Sequence, residues 1–126
     1  MSKPPRDHTS FGSNTYFITA STWGHRRLLQ SDRMANLFVG TLQHYRRQGK
    51  FLLHEFVVMP DHFHLLLTPC EITIERAVQF IKGGFSYRVK KELGLNTEVW
   101  GSGYVDHRVR DATDYKHHVE YIHKNL

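Results

Sequence analysis

"FLLHEFVVMPDHFHLLLT" (residues 51–68) contains two apolar, β-forming runs separated by Pro60-Asp61. Pro-Asp is turn chemistry, so the stretch predicts strands over 51–59 and 62–68 paired as an antiparallel hairpin. The second run carries two histidines, His62 and His64, around Phe63. Side chains alternate across a strand, so both imidazoles point to one side while Phe63, Leu65 and Leu67 point to the other. One reading is a pair of half-exposed histidines on the open face of a sheet. The other is a pair of ring nitrogens close enough to share a metal ion. Spacing leaves both open. Two imidazoles are too few for a closed structural site, so the metal reading requires a third ligand and open positions, as in a catalytic centre. Asp61 and His54 are the nearest candidates in sequence.

Working outward, "TYFITAS" (15–21) alternates β-formers and reads as a strand. "SDRMANLFVGTLQHYRRQG" (31–49) places Met34, Leu37, Phe38, Thr41, Leu42 and Tyr45 on one helical stripe, with Ser31 or Asp32 as N-cap and Gly49 as terminator. From Thr73 to Gly94 a longer stripe of Ile74, Ala77, Val78, Ile81, Phe85 and Val89 predicts a second helix. Gly83-Gly84 inside it costs about 1 kcal/mol per glycine relative to alanine, which a kink or the close approach of another backbone would explain. "YVDHRVR" (104–110) is a short strand, and "DATDYKHHVEYIHKNL" (111–126) a last helix capped by Asp111 or Thr113. The order β-α-β-β-α-β-α predicts an α+β fold: a ferredoxin-like, four-stranded antiparallel sheet with a C-terminal helix added. The histidine strand is then a middle one, its outer face available for a site or for the last helix.

At 126 residues the chain suits one domain, expected over 15–126, preceded by a loose polar arm over 1–14. No apolar run approaches a membrane span, and the start lacks a signal-peptide core, so the expected compartment is the cytoplasm. The single cysteine, Cys70, excludes an internal disulfide and any multi-cysteine zinc site. Seventeen Lys and Arg against twelve Asp and Glu leave +5, a balance that favours a polyanionic partner such as nucleic acid.

On the last helix Tyr115, Val119 and Ile122 form the stripe that should pack. Tyr121 lies off its centre and shares a face with Asn125, with His117 and His118 one turn earlier. A tyrosine there is ordinarily an amphipathic packing residue, or else a hydroxyl that attacks a polarised target. Arg26, Arg27, Lys82, Arg88, Lys90, Lys91, Arg108 and Arg110 are singly ordinary solvated charges. As a set interleaved with Trp23, Tyr87, Trp100 and Tyr104, they suit a phosphate backbone with unpaired bases to stack.

Three stretches together resemble a known family. "VVMPDHFHLLL" (57–67) resembles the His-hydrophobic-His strand of single-strand DNA endonucleases. "VWGSGYVDHRVRDATDYKHHVEYIHKN" (99–125) and "YFITASTWGHRRLL" (16–29) are similar to stretches of the REP-associated tyrosine transposases. The resemblance implies that His62 and His64 are paired metal ligands, Asn125 completes their site, and Tyr121 is the nucleophile. It implies a divalent metal, Mg²⁺ or Mn²⁺, and a bacterial, nucleoid-associated transposase. Such an enzyme cleaves and rejoins single-stranded hairpin DNA through a 5′-phosphotyrosine link. Arg26, Arg27, Lys82, Arg88, Arg108 and Arg110 are the expected DNA contacts. In related small transposases the tyrosine helix can serve a partner subunit, so a homodimer with the site in cis or in trans is open. The family motif continues past its asparagine into Pro-Val-Lys, where this chain reads Asn125-Leu126.

Two other readings compete. A non-catalytic nucleic-acid-binding module on the same sheet explains charge and aromatics but not the His-Phe-His strand. A metallohydrolase without covalent chemistry lacks an evident general base or carboxylate ligand.

Overall fold

The computed structural model describes residues 14–126. All but the last residue of the arm expected over 1–14 therefore lies outside the described residues. Strands β1 (Tyr16–Ser21), β2 (Phe51–Met59), β3 (His62–Pro69) and β4 (Val105–Arg108) alternate with helices α1 (Asp32–Arg47), α2 (Ile74–Leu93) and α3 (Ala112–Lys124) in the expected order. The sheet runs β2-β3-β1-β4 with every pairing antiparallel, the ferredoxin-like arrangement, so β1 and β3 are central. A short 3-10 turn over Trp23–His25, unforeseen from the sequence, follows β1.

Local chemistry sets the element ends. Ser31 Oγ, Thr73 Oγ1 and Asp111 Oδ1 accept from the N–H groups of Met34, Arg76 and Asp114, so each helix begins on a side-chain cap. Gly94 ends α2 at φ 69°, a left-handed conformation that favours glycine. The β2–β3 hairpin brings Met59 opposite His62 across the Pro60-Asp61 turn, and a bulge at Leu53–Glu55 breaks its register.

Alternation along the strands divides the sheet into two faces. On the inner face Ile18, Phe63, Leu65 and Leu67 pack with Phe38 and Leu42 of α1 and Ile81, Phe85 and Val89 of α2. Helix α2 runs through Gly83-Gly84 as one continuous helix. Neither the expected kink nor a close backbone explains the pair: a Cβ at Gly84 would lie 2.6 Å from the Tyr45 side chain of α1, and a Cβ at Gly83 would meet nothing within 4 Å. On the outer face a smaller cluster of Val57, Leu66, Val109 and Ile122, flanked by Phe17, Met59, Tyr115 and Val119, seats α3. The stripe expected to pack is the stripe that packs.

Trp100 departs from expectation. It is buried against Phe38, Phe63 and Phe85, and its Nε1 donates to the Lys82 carbonyl, so it belongs to the core and offers no face to a base. Among the described residues no helix is long and apolar enough to cross a membrane.

Candidate active site

Strand alternation puts His62 and His64 on the outer face, with ring centroids 4.9 Å apart. His62 is half-buried, and its Nδ1 lies 2.8 Å from Asp61 Oδ1. His64 is buried opposite Thr19 of β1, whose Oγ1 lies 2.8 Å from its Nδ1. The Asp61 carboxylate only accepts, so His62 Nδ1 donates and its Nε2 carries the lone pair; with Nδ1 donating to the Thr19 hydroxyl, His64 presents Nε2 in the same way, the tautomer metal-binding histidines adopt. Burial, reinforced by the neighbouring His62, lowers the His64 pKa to about 4, so near neutral pH its lone pair is available. The hydrogen bond from His62 holds the Asp61 carboxyl below its ordinary range. The donor set therefore fits a divalent ion. Asp61 acts on His62 from behind, and His54 is elsewhere, its Nε2 2.8 Å from Thr68 Oγ1 and its ring against Tyr115.

Helix α3 delivers Tyr121 to this place. Its ring sits edge-on to His64 at 5.3 Å and to Phe17 at 6.0 Å, and it is about half exposed. Ile122, the next residue, anchors the helix in the outer cluster, and His123 Nε2 reaches Glu55 Oε1 at 3.1 Å to tie its end to β2. Asn125 stands one turn beyond Tyr121 and donates its Nδ2 to the Tyr121 carbonyl at 2.8 Å. That bond caps the helix and leaves the Asn125 side-chain oxygen as its remaining acceptor.

Beside the pair opens a groove of about 490 Å³ between the end of β1 and the loop before β4, lined by Thr19, Ser21, His25, Gly101, Tyr104 and Val105 among others. Two of its lining residues neighbour the histidines: Thr19 holds His64, and Ser21 lies in register with His62.

The six expected DNA-contacting cations do not form one surface. Lys82 and Arg88 lie on α2, across the sheet from the histidines. Lys82 Nζ donates to the carbonyls of Gly101 and Gly103 at 3.1 and 2.8 Å, and burial lowers its pKa. It holds the groove's wall from behind. Arg88 lies over Gly40 of α1. Arg26 binds the carbonyls of Trp23 and Glu98 and lies over the Trp23 ring, and Arg27 pairs with Gln30 at 3.1 Å. Arg108 is exposed in register with Tyr16, on the inward side of β4, and Arg110 is exposed 3.8 Å from Asp114.

Three features were not picked out from sequence. Thr19 orients His64, and Phe17 stacks between His64 (5.3 Å) and His118 (4.4 Å). His107, Asp114 and His118 also converge, their ligand atoms all within 4.8 Å of one another, a set able to hold a metal ion. Only the i, i+4 pair Asp114/His118 left a signal in the sequence.

Comparison with known proteins gives a consistent answer. The family model for IS200-like transposases matches residues 13–125. A REP-associated tyrosine transposase of Escherichia coli (strain K12) is 29% identical over 118 residues, covering 87% of this chain and 68% of that protein. The structure of a REP-associated tyrosine transposase bound to a REP hairpin superposes with a TM-score of 0.73 at 25% identity, covering 99% of this chain and 72% of the other. A crystal structure of a candidate transposase from Deinococcus radiodurans R1 shares the fold, with a TM-score of 0.66 at 23% identity over 87% of this chain and 88% of its own. The chain belongs to the IS200-like transposase family.

Proposed function

We propose that this chain is a metal-dependent, single-stranded DNA endonuclease and strand transferase acting on hairpin DNA, with Tyr121 as nucleophile. The observation that carries the reading is the meeting, on one open face, of the Tyr121 ring with His64 at 5.3 Å and of His64 with His62 at 4.9 Å. The relative solved with a REP hairpin supports hairpin DNA as the substrate class. In this reading His62 and His64 hold a divalent ion through Nε2, and Asn125 offers its side-chain oxygen as a third ligand. Imidazole and amide ligation suits Mn²⁺ somewhat better than Mg²⁺. When bound, the ion supplies Lewis-acid polarisation of a DNA phosphate.

The chain's own residues do the rest. Thr19 and Asp61 fix the two imidazoles, so the site loses little order when a ligand arrives. Ile122 and the Glu55–His123 contact hold α3 so that Tyr121 stays over the pair. The Tyr121 hydroxyl oxygen bonds to phosphorus, the bond from phosphorus to the 3′ oxygen breaks, the phenolic proton passes to solvent, and the leaving oxygen becomes a 3′-hydroxyl. The 5′-phosphotyrosine keeps the phosphodiester energy, and attack by a 3′-hydroxyl reverses the step without ATP. Because Tyr121 meets the histidines of its own chain, the geometry favours a site completed in cis; a homodimer is not needed to assemble it. The groove beside the histidines offers the strand a path, and Arg26 and Arg27 follow His25 of its lining in the chain.

The test is a nicking assay on a hairpin oligonucleotide with Mn²⁺ or Mg²⁺. The wild-type chain should give a denaturation-resistant protein–DNA adduct, absent in Tyr121→Phe although that variant still binds DNA. Cleavage surviving in Tyr121→Phe removes the nucleophile assignment. Cleavage surviving in His62→Ala and His64→Ala removes the metal pair.

A further inference from the structure

We propose that His107, Asp114 and His118 form a second metal site, for a transition ion of the Zn²⁺ class, that clamps α3 to β4. His107 comes from the edge strand, where it lies in register with Phe17. Asp114 and His118 are one turn apart on α3, an i, i+4 pair presenting both ligands on one helix face. His107 Nε2 lies 3.0 Å and His118 Nε2 3.3 Å from the two Asp114 oxygens. Ligand atoms about 2.0–2.1 Å from a tetrahedral ion stand about 3.3 Å from one another. The His118–Oδ1 edge of that tetrahedron is already in place; His107 Nε2, now hydrogen-bonded to Oδ2, must give up that bond to join the set, whose ligand atoms all lie within 4.8 Å of one another.

The chemistry of the atoms points the same way. His118 Nε2 is buried and, among the described residues, has no hydrogen-bond partner. It faces Asp114 Oδ1 at 3.3 Å, an ion-pair distance poorly aligned for a hydrogen bond, so a metal ion held between the two would satisfy the nitrogen better than the carboxylate alone does. The stack of His118 on Phe17 at 4.4 Å fixes the ring plane. Asp114 Oδ2 accepts from the Arg110 backbone N–H at 3.0 Å, which fixes the carboxylate and leaves Oδ1 on the His118 side as a ligand. Two imidazoles and one carboxylate are the donor set that zinc-type ions take, with a fourth position for water.

The site is distinct from the His62/His64 pair, because the Phe17 ring lies between His64 and His118. Its two sources of ligand give it a consequence. Occupancy ties the first two turns of α3 to the sheet, and α3 carries Tyr121 at its other end. The proposal does not depend on Tyr121 being a nucleophile.

The test uses the full chain, stripped of metal and titrated with Zn²⁺, with Co²⁺ as a spectroscopic probe. The expected result is one equivalent giving the intense visible absorption of tetrahedral Co²⁺, displaced by Zn²⁺, and slowed amide exchange in residues 112–118. The absorption and the slowed exchange should persist in His64→Ala and be lost in His118→Gln and His107→Gln. The His107 side chain is 42% exposed, so His107→Gln leaves the packing intact and gives a reading even if the position-118 variant folds poorly. Two results overturn the proposal: no tetrahedral signal from the wild-type chain, or a signal unchanged by His107→Gln. A signal lost only in His64→Ala assigns the ion to the other pair, and the cluster is then an ordinary ion-pair network.

Discussion

Phe63 and His64 are consecutive on β3 and both buried, yet the two faces they belong to are packed by different chemistry. Phe63 meets Phe38 at 4.8 Å and Trp100 at 5.3 Å in a layer closed by two helices. His64 meets Thr19, Phe17 and the edge of Tyr121 under a single helix that rests on a small apolar seat. The inner face holds the fold together, and the outer face uses its burial to fix polar groups. A layer that must admit a ligand cannot also be the layer that supplies most of the stability.

The largest expected effects test that division directly. Phe63→Ala removes a fully buried ring from the inner layer and should cost about 3–5 kcal/mol. Ile122→Ala removes the central anchor of the outer cluster, where α3 can settle onto the sheet, and should cost about 2 kcal/mol, the low end for an isoleucine. Urea denaturation measures both. Hydrogen exchange adds the sharper reading: Ile122→Ala should expose the amides of residues 112–124 well before global unfolding, and Phe63→Ala should not. Equal costs, or equal exchange patterns, break the comparison.

A second contrast lies within the inner layer itself. Gly84→Ala drives a methyl to 2.6 Å from the Tyr45 ring, which also packs on Phe80 at 5.2 Å and so has little room to retreat. Overpacking there should cost about 1–3 kcal/mol. Gly83→Ala meets open space one residue away and should instead stabilise the helix by up to about 1 kcal/mol. Thermal melts of the pair decide whether the inner layer is as tight as its contacts imply; two stabilising substitutions mean it is not.

The same two faces explain what could be read from the sequence. Period-2 and period-3.6 patterns, with cap candidates at Ser31 or Asp32 and Asp111 or Thr113, carried the element order, because each is a local interaction written within a few residues; the structure caps with Ser31 and Asp111, and adds Thr73. The pairing of His62 with His64 was legible because strand alternation is local too. Thr19 was not, since it reaches His64 through a strand pairing across 45 residues. Lys82 and Trp100 read as surface cation and stacking ring, yet tertiary packing turns one onto the Gly101 and Gly103 carbonyls and the other into the core. Amphipathic side chains have two satisfactory environments, and only the assembled sheet chooses between them.

The last expected effect concerns the buried imidazole and separates the outer face from an ordinary core. With the folded pKa near 4 against an ordinary 6.5, His64 is neutral in both folded and unfolded chains above about pH 6.5. As the pH falls toward 4 the unfolded chain takes up a proton that the folded one refuses, so metal-free stability should decline across that window and this contribution should level off below it. His118, whose pKa is also lowered chiefly by burial, adds in the same direction, so His64→Gln should flatten the slope only in part. Thr19→Val completes the argument. It leaves His64 Nδ1 without its hydroxyl, so metal affinity at the pair should fall by about 10–100-fold while the inner layer is untouched. Unchanged affinity in Thr19→Val, beside an unchanged pH slope in His64→Gln, means that burial of His64 serves packing alone, and the two faces then differ in shape but not in purpose.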